Sequence, residues 1–371
     1  MSKAADLANL IGNINAGGGG VNRNVIINGA MNVAQRRTSA SSIGNETVFI
    51  LDRFKTLQSG SNGVLTMSQD SSAPSGFANS LKLDCTTADT SIASGESLIL
   101  RQVIEGQNLQ GFAKGTSDAK PFAVSFYVKG NASATYNCVL GDEDNTRQSV
   151  RQFTVGTDWS RVELTFPPDT TGAFDDDVNG SLEFNIILHA GSDLTSGSLN
   201  ENVWEARDFT KQGSGISSFF DSTDRTFFIT GVQLEVGQNP TSFEHEPFER
   251  TLTKCHRYFQ KFTSSGAQYQ RFGVGLSYSS TAMSCPVFLM NTMRDVPALG
   301  TTGTASNYAV NHNNDTVTVA SSVPAIAGTG DNPSQNIGVT CAVSSGLDAG
   351  DVSMLISNNN TDSFLSLDAE L

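Results

Sequence analysis

The chain has 371 residues, with 37 acidic and 23 basic side chains and a formal net charge of −14 at neutral pH. This acidity makes nucleic acid and anionic membranes poor partners, because both are bound mainly through lysine and arginine. No apolar run approaches the ~20 residues that span a bilayer, and the start Met1-Ser2-Lys3 opens no signal-peptide stretch. We therefore expect a protein that is made in the cytoplasm and does not insert into a membrane.

The composition favours β structure in more than one unit. Charged residues make up only 16% of the chain, against about 25% in typical globular proteins, and Ser, Thr, Asn and Gly take their place. A chain of this length usually divides into two or three units. No Cys-x-x-Cys pair is present, which argues against zinc and redox motifs. We expect reduced, mostly buried thiols at Cys85, Cys138, Cys255, Cys285 and Cys341.

Residues 1–23 predict a short helix that needs a partner. Its apolar side chains recur at the spacing of one helical face and are Leu7, Leu10, Ile11 and Ile14. Glycines at 17–20 end the pattern and are interpreted as a hinge. A helix this short is marginal alone in water, so we interpret the segment as a contact to another chain. The alternative is a frayed terminus.

Residues 24–248 alternate apolar and polar side chains, which is typical of half-buried antiparallel strands. The clearest runs are 122–129, 161–166, 182–189 and 228–236. So many strands without interleaved helices predict a mainly β chain with a jelly-roll β-sandwich. In the last run Gly231 is expected to mark a bulge or a close backbone approach. The side chains expected to share the core face there are Phe228, Val232, Leu234 and Val236.

Residues 249–262 predict a connector helix, and residues 263–371 predict a smaller C-terminal β domain. The helix would present one apolar side as an oligomer contact, formed by Leu252, Cys255, Phe259 and Phe262. The final domain is rich in small residues, especially over 301–330. A domain with so few large side chains would be marginal alone, so we expect neighbouring copies to contact it.

Several stretches resemble the fibre and other virion appendage proteins of tailed bacteriophages. The opening run, 24–36, reads Asn-Val-Ile-Ile-Asn-Gly-Ala-Met-Asn-Val-Ala-Gln-Arg, and Asp-Arg-Phe follows at 52–54. The most recognisable block, 229–237, reads Ile-Thr-Gly-Val-Gln-Leu-Glu-Val-Gly, with Phe-Glu at 243–244 and Cys-His-Arg-Tyr-Phe at 255–259. The end of the chain, Leu-Asp-Ala-Glu-Leu at 367–371, is also similar. The resemblance covers nearly the whole chain.

The resemblance implies a sandwich similar to carbohydrate-binding modules, a helical connector and a small C-terminal β domain. It also implies a homotrimer on the virion, assembled in the host cytoplasm and bound to other virion proteins through the N-terminal segment. A purely sequence-based argument for association fits a dimer equally well. The family has no universal catalytic motif, so no catalytic residue is carried over and we expect no enzyme. The position on the particle, at tail, baseplate or head, stays open.

Two acidic runs are candidate chemical sites. The runs, 142–144 and 175–177, lie in predicted loops beside Gly and Asn, where solvated turns are the usual role. Clustered carboxylates also suit calcium, so a structural calcium ion is the alternative at Asp175, Asp176 and Asp177. No cofactor is otherwise expected. Neither a Gly-x-Ser-x-Gly elbow nor another nucleophile–base pattern is visible.

Glycan binding is the best remaining site hypothesis. Sandwich modules hold sugars with aromatic faces and polar groups, and the candidates here are Tyr127, His189, Trp159 and Trp204. The alternative for each of them is ordinary packing. The leading function is a tail fibre that contributes to recognition of a host-surface glycan. The second is a head or capsid decorating fibre or adaptor without receptor binding, and the third is a glycan depolymerase.

Overall fold

The computed structural model describes residues 3–15, 22–313, 315–327 and 336–371. The chain forms two compact units, one of residues 1–251 with Leu371 and one of residues 252–370. Strands hold 43% of the residues and helices 9%, so the prediction of a mainly β chain is confirmed.

The first unit consists largely of antiparallel strands. Its elements up to residue 142 are α1 (Lys3–Asn15), β1 (Ser39–Ile43), β2 (Thr47–Phe49), β3 (Lys55–Ser59), β4 (Val64–Asp70), β5 (Ser80–Thr87), β6 (Ser97–Glu105), β7 (Phe122–Gly130) and β8 (Ala134–Asp142). The elements that follow are β9 (Arg147–Val155), β10 (Ser160–Phe166), β11 (Gly180–Ala190), α2 (Ser192–Thr195), β12 (Glu205–Ala206), α3 (Phe209–Gln212) and β13 (Thr226–Val236). Helix α4 (Phe248–His256) comes next in the chain.

The strands of this unit form two sheets that enclose one core. The six-stranded sheet has the order β1-β4-β5-β13-β7-β10, and the seven-stranded sheet has the order β12-β9-β8-β11-β6-β3-β2. Phe126 of the first sheet contacts Phe184 of the second, with ring centroids 6.2 Å apart. This is the predicted jelly-roll β-sandwich, in which period-two alternation places one face of each strand in the core.

Strand β13 departs from the predicted alternation at Gly231. The pairing of β13 with β7 shifts between Thr230 and Gln233, and Gly231 has a φ of 63°. Before this bulge the core residues are Phe227 and Ile229, and after it Val232 and Leu234 are buried. The bulge was predicted, but its effect was not, and the prediction that Phe228 faces the core is wrong. An extra residue in one strand exchanges the two faces.

A hydrogen-bonded clasp joins the irregular segment 22–36 to β13 and to the loop after it. The Asn24 side chain donates to the Val232 carbonyl and accepts the Leu234 N–H, each over 3.0 Å. The Glu244 carboxylate accepts the N–H groups of Asn22 and Arg23, each over 2.7 Å.

Glu235 completes the clasp from a buried position. Its side chain is 1% exposed and forms an ion pair with Arg23 over 3.3 Å. It also accepts the Thr241 N–H over 2.7 Å and the Gln233 side-chain amide over 2.8 Å. A buried carboxylate without such partners would be strongly unfavourable. We use the name clasp for Asn24, Gln233, Glu235, Thr241 and Glu244.

Asn28 organises the turn that continues the segment. It has a φ of 61°, a left-handed conformation that asparagine tolerates. Its amide donates to the carbonyls of Val33 and Asp52 at 2.9 and 3.0 Å. Asp52 in turn accepts the N–H of Gln35 over 2.8 Å. The stretches that resemble phage fibres at 24–36, 52–54, 229–237 and 243–244 therefore meet in one hydrogen-bonded region.

The second unit contains a smaller β structure with its own core. Its strands are β14 (Phe259–Thr263), β15 (Arg271–Ser279), β16 (Ala282–Phe288), β17 (Ala298–Gly300), β18 (Tyr308–His312), β19 (Thr316–Val319), β20 (Ala325–Ile326), β21 (Asn336–Ala342), β22 (Val352–Ser357) and β23 (Phe364–Asp368). They form a seven-stranded sheet, β19-β18-β22-β15-β16-β21-β20, and a three-stranded sheet, β14-β23-β17. The core includes Met283, Tyr308, Val339 and Leu355.

The connector helix is shorter than predicted. Helix α4 ends at His256, and Phe259 and Phe262 lie in β14, which pairs with β23. Phe259 is buried and Phe262 packs against the core of its own unit, while Leu252 is half-buried and Cys255 fully buried on α4. The predicted single helical seam of Leu252, Cys255, Phe259 and Phe262 is therefore wrong, because pairing with a distant strand ends the helix.

Helix α1 includes the residues of the predicted apolar stripe. Leu7 and Ile11 are 58% and 50% exposed, and Leu10 is half-buried. The Ile14 side chain and residues 17–20 lie outside the described parts of the chain. The role of this segment in oligomer or virion contact stays a prediction.

The thiols agree with the sequence prediction. All five cysteines are free and buried. Burial raises the pKa of the Cys85 and Cys285 thiols to about 11 and that of Cys341 to about 12, so they are poor nucleophiles at neutral pH. Among the described residues, no helix has the length and apolar character needed to cross a membrane.

The core geometry predicts a contrast between two neighbouring residues. Phe126 has no exposed surface, whereas Tyr127 is half-buried on the outer side of the same strand. Replacing Phe126 with Ala should lower the free energy of unfolding by about 3–5 kcal/mol, and Tyr127→Ala should lower it much less. Denaturant unfolding of both variants measures this, and equal losses would contradict the assigned faces.

Candidate functional site

Two of the predicted glycan-binding residues lie on the outer face of the six-stranded sheet. Trp159 precedes β10 and packs edge-on against Phe228, with ring centroids 6.1 Å apart. Phe228 lies opposite Lys82 on one side and Lys129 on the other. The ammonium group of each lysine is 5.6 Å from the Phe228 ring centroid. This arrangement combines half-buried aromatic rings with flanking cations.

Tyr127 belongs to a second group of rings on the same face. Its ring lies 5.4 Å from that of Phe77. Phe77 is in turn 5.0 Å from the rings of both Phe243 and His245. The four side chains are half-buried, apart from the exposed His245. The group brings together a loop after β4, strand β7 and the segment that the clasp holds in place.

Strand register joins the two groups. Phe228 is paired with Lys129, and Thr230 with Tyr127, so Phe228 and Tyr127 occupy diagonal positions on the same face, which are typically about 7–8 Å apart along the backbone. The result is a line of rings across the sheet, which we call the aromatic track. Its members are Trp159, Phe228, Tyr127, Phe77, Phe243 and His245.

Gly231 is required for this packing. A Cβ atom at Gly231 would lie 2.7 Å from Cζ of Phe77 and 2.9 Å from Cδ2 of Tyr127. Both distances are shorter than real carbon contacts, and the positive φ also disfavours other residues. The glycine therefore lets Phe77 rest over the bulge, and the bulge places Phe228 on the outer face.

His189 is not part of this surface. Its side chain is completely buried, with Nδ1 2.8 Å from Oγ of Ser218 and Nε2 3.0 Å from Oε2 of Glu96. The ring also packs against Phe220 at 5.2 Å. Strand parity does place His189 away from the main core, but the segment after β11 covers it. The expectation that His189 faces a ligand is therefore corrected.

Trp204 is also buried, with 7% of its surface exposed. Its indole N–H donates to the Pro167 carbonyl over 2.8 Å, and its ring packs against Phe122 at 5.4 Å. Both its polar atom and its faces are thus engaged within the protein. The expectation that Trp204 contacts a glycan is corrected for the same reason as that for His189.

Beside Trp204 lies a lysine in a closed cage of oxygen atoms. The Lys114 ammonium group has no exposed surface and contacts Asp142 at 2.5 Å and Asp169 at 3.2 Å. It also donates to the carbonyls of Thr171 and Gly172 at 2.9 and 2.7 Å. No local sequence pattern predicts this cage, because its members are scattered over about sixty positions.

The acidic run 175–177 shows the features of a solvated turn. Asp177 accepts the N–H of Asn179 over 2.8 Å, and the Asp175 N–H donates to Asp144 over 2.9 Å. Asp175 and Asp176 are exposed and Asp177 is half-buried. Within the described residues, no group of three or more His, Cys, Asp or Glu side chains could hold a metal ion. The calcium hypothesis for this run therefore gains no support.

A pair of carboxyl groups on the seven-stranded sheet was not predicted. Glu183 and Glu143 are hydrogen-bonded to each other, with Arg101 beside Glu183 and Arg207 2.7 Å from Glu143. Burial raises the pKa of Glu183 above its usual value in spite of Arg101, and Glu143 adds to the rise. Burial also raises the pKa of Glu143. The hydrogen bonds that Glu143 forms with Arg207 and Glu183 lower this pKa more, so that it lies below its usual value.

This pair does not have the geometry of a glycosidase. Retaining and inverting enzymes hold their carboxyl groups roughly 5 Å or more apart, with the sugar bond between them. Carboxyl groups in direct hydrogen bond leave no room for a sugar ring. Glu183 lies on β11 and Glu143 just after β8, so only strand pairing brings them together.

A cleft lies next to the aromatic track and is lined by Phe243, His245 and asparagines of the clasp region. The amide groups of Asn24 and Asn28 are already used within the protein. A ligand in this cleft would therefore contact the aromatic side chains more than the asparagine amide groups.

Comparison with known proteins gave distant structural similarities. No protein-family model and no curated protein matches the chain. A carbohydrate-binding module described as "CBM4 structure and function" is 11% identical, with 56% of this chain and 97% of that one covered and a TM-score of 0.29. The family 11 carbohydrate-binding module of the cellulosomal cellulase Lic26A-Cel5E of Clostridium thermocellum is 14% identical, with coverages of 56% and 100% and a TM-score of 0.27.

A domain of a phage protein is similarly distant. The enzymatically active domain of tailspike protein 4 of bacteriophage CBA120 is 14% identical, with 57% of this chain and 21% of that one covered and a TM-score of 0.29. Because these TM-scores are low, the assignment of a β-sandwich rests on the two sheets of this chain. Its function is likewise inferred from its own residues.

The lysine cage gives a second testable prediction. Lys114→Met should lower the free energy of unfolding by about 3–5 kcal/mol, because Asp142 would become an uncompensated buried charge and Asp169 would keep only its pair with Arg147. Lys211, which pairs with Glu205 at the surface, is the matched control, and Lys211→Met should have a much smaller effect. Denaturant unfolding compares the two, and similar losses would show that burial of the Lys114 cation is unimportant.

Proposed function

We propose that the first unit binds a glycan through the aromatic track and does so without cleaving it. The observation that carries this proposal is the line of rings on an outer sheet face, which runs from the half-buried Trp159 to the exposed His245. Ligand sites typically combine apolar or aromatic surfaces with a few polar groups that fix orientation. The track supplies ring surfaces, and Lys82 and Lys129 supply hydrogen-bond donors beside them.

The physical basis is the match between rings and sugars. A sugar ring presents a face of C–H groups, which favours contact with an aromatic face, while its hydroxyl groups need hydrogen-bond partners. The rings are held in place by packing against one another, so binding orders few new rotamers. Because the track crosses several strands, it suits an extended chain of several sugars better than a single one.

We further propose that the protein is a virion fibre of a tailed bacteriophage, a homotrimer that contributes to attachment to a host-surface glycan. The sequence resemblance at 24–36, 229–237 and 255–259 supports this proposal. In this role the N-terminal segment contacts other virion proteins. A decorating fibre or adaptor without receptor binding is the second candidate, and absence of any glycan ligand would favour it.

The glycan proposal predicts a specific pattern of mutant binding. A glycan array that contains bacterial surface polysaccharides identifies a ligand, and titration calorimetry then compares variants. Trp159→Ala and Tyr127→Ala should each weaken binding about ten-fold or more, because each removes a ring contact worth more than ~1 kcal/mol.

Phe209 provides the matched control for this experiment. It is an exposed aromatic residue, 58% accessible, that lies outside the track, so Phe209→Ala should leave binding unchanged. Loss of binding in the Phe209 variant with retention in both track variants would place the site elsewhere. Failure of the wild type to bind any glycan would overturn the proposal.

The non-catalytic part of the proposal has its own test. Incubation of the wild type with the glycan that it binds should release no reducing ends, since Glu143 and Glu183 contact each other directly. Release of reducing sugar that disappears in Glu183→Gln would instead identify a depolymerase, the third candidate. An unrelated endoglycosidase serves as the positive control for the assay.

A further inference from the structure

The seven-stranded sheet of the second unit exposes large apolar side chains on one face. Phe288 is 70% exposed, Val352 66% and Tyr278 60%. Other exposed apolar residues of this sheet are Val274, Leu276, Val317 and Val319. Scattered exposed apolar residues are normal, but a contiguous group marks an interaction surface.

Strand register places the central members on the same face. Leu276 of β15 lies opposite Val352 of β22 and opposite Ser284 of β16. Residues directly opposite in an antiparallel pair point to the same side of the sheet. Because side chains alternate along a strand, Val274 and Phe288 share that side with Leu276.

The edge strand β19 continues the face. Val317 is paired with Asn311, and Asn311 is paired with Met354. Met354 lies two residues from Val352 on β22, and Val274 is its direct partner on β15. We call this surface the apolar face and define it by Val274, Leu276, Tyr278, Phe288, Val317, Val319 and Val352.

Strand β15 reverses the usual pattern of a half-buried strand, because its small residues face inward and its large apolar residues face outward. Its inward positions hold Gly273, Gly275 and Ser277, while its outward positions hold large apolar residues. A Cβ atom at Gly275 would lie 1.9 Å from the Ser284 carbonyl oxygen, so nothing larger fits inside. The apolar surface that would normally stabilise such a strand by burial therefore lies on the outside.

The apolar face also lacks the charge that the rest of the chain carries. The outward positions between these residues are neutral and include Ser284, Pro286 and Met354, whereas charge is found at the margin, at Arg271 and at Asp315, which accepts from the Asn311 side chain. A chain with a formal net charge of −14 repels a second copy of itself over most of its surface. A neutral apolar face is the kind of surface on which two such copies can meet.

The area is close to that of a stable interface. If a fully exposed side chain offers roughly 150–200 Å², the exposed fractions add up to about 600 Å² of apolar surface. Patches on monomers rarely exceed a few hundred Å², and a standard interface buries about 800 Å² on each partner. The core of an interface is thus present, and the neutral polar residues around it can complete the rim.

We propose that the apolar face is covered by the same face of other copies of this chain. This inference deepens the proposed homotrimer by naming a contact surface, and it does not depend on glycan binding. The glycine-rich inner side of β15 then has a physical reason, since the large side chains of this strand are buried between copies instead of within one.

The test compares the association of the full chain with that of two face variants. Sedimentation velocity of the wild type at micromolar concentration should show a complex of two or more copies. Leu276→Glu would bury an unpaired charge at the contact and should abolish the complex. Val352→Thr keeps a β-branched side chain and should raise the dissociation constant by about ten-fold.

Ile92, an exposed aliphatic residue of the first unit, 45% accessible, is the control. Ile92→Glu carries the same charge change outside the apolar face and should leave the complex intact. Circular dichroism should show folded protein for every variant, and glycan affinity per chain should stay unchanged. A monomeric wild type, or a complex that persists in both Leu276→Glu and Val352→Thr, would overturn the inference while leaving the glycan proposal standing.

Discussion

The sandwich depends on the clasp that fastens its irregular N-terminal segment to β13. Glu235 is buried, and a carboxylate in that position is tolerable only because Arg23, Gln233 and Thr241 all contact it. Together with Glu244, it fixes the path of the loop after β13. That loop carries Phe243 and His245, so the same hydrogen bonds that close the sandwich also position one end of the aromatic track.

Four of the five clasp residues, all except Thr241, lie in stretches that carry the phage-fibre resemblance. The Asn24 side chain bonds to the backbone of Val232 and Leu234, Gln233 donates to Glu235, and Asn28 links the opening run to Asp52. These contacts explain why such residue types are needed for the fold. Trp159 and Phe77, which would contact a ligand, lie outside those stretches. The resemblance therefore supports the fold but does not identify the ligand, which must be found by experiment.

The two units differ in where their large apolar side chains lie. The first unit encloses a large aromatic core and can even bury the Lys114 cation, because Asp142, Asp169 and two carbonyls surround it. The second unit has glycine and serine at the inner positions of β15 and large side chains at the outer ones. We infer that the first unit is stabilised mainly from within and the second partly by contacts between copies.

The sequence alone determined the strand pattern, the sandwich and the core position of Phe126, because period-two alternation is a local property of each strand. It also indicated the bulge at Gly231. Only the tertiary structure decided that the bulge places Phe228, which precedes it, on the outer face, and which outer residues a later segment covers, as it does His189. Helix α4 likewise stops at His256 because β14 pairs with β23, about a hundred residues later. Each of these outcomes depends on contacts between distant parts of the chain, which no local pattern records.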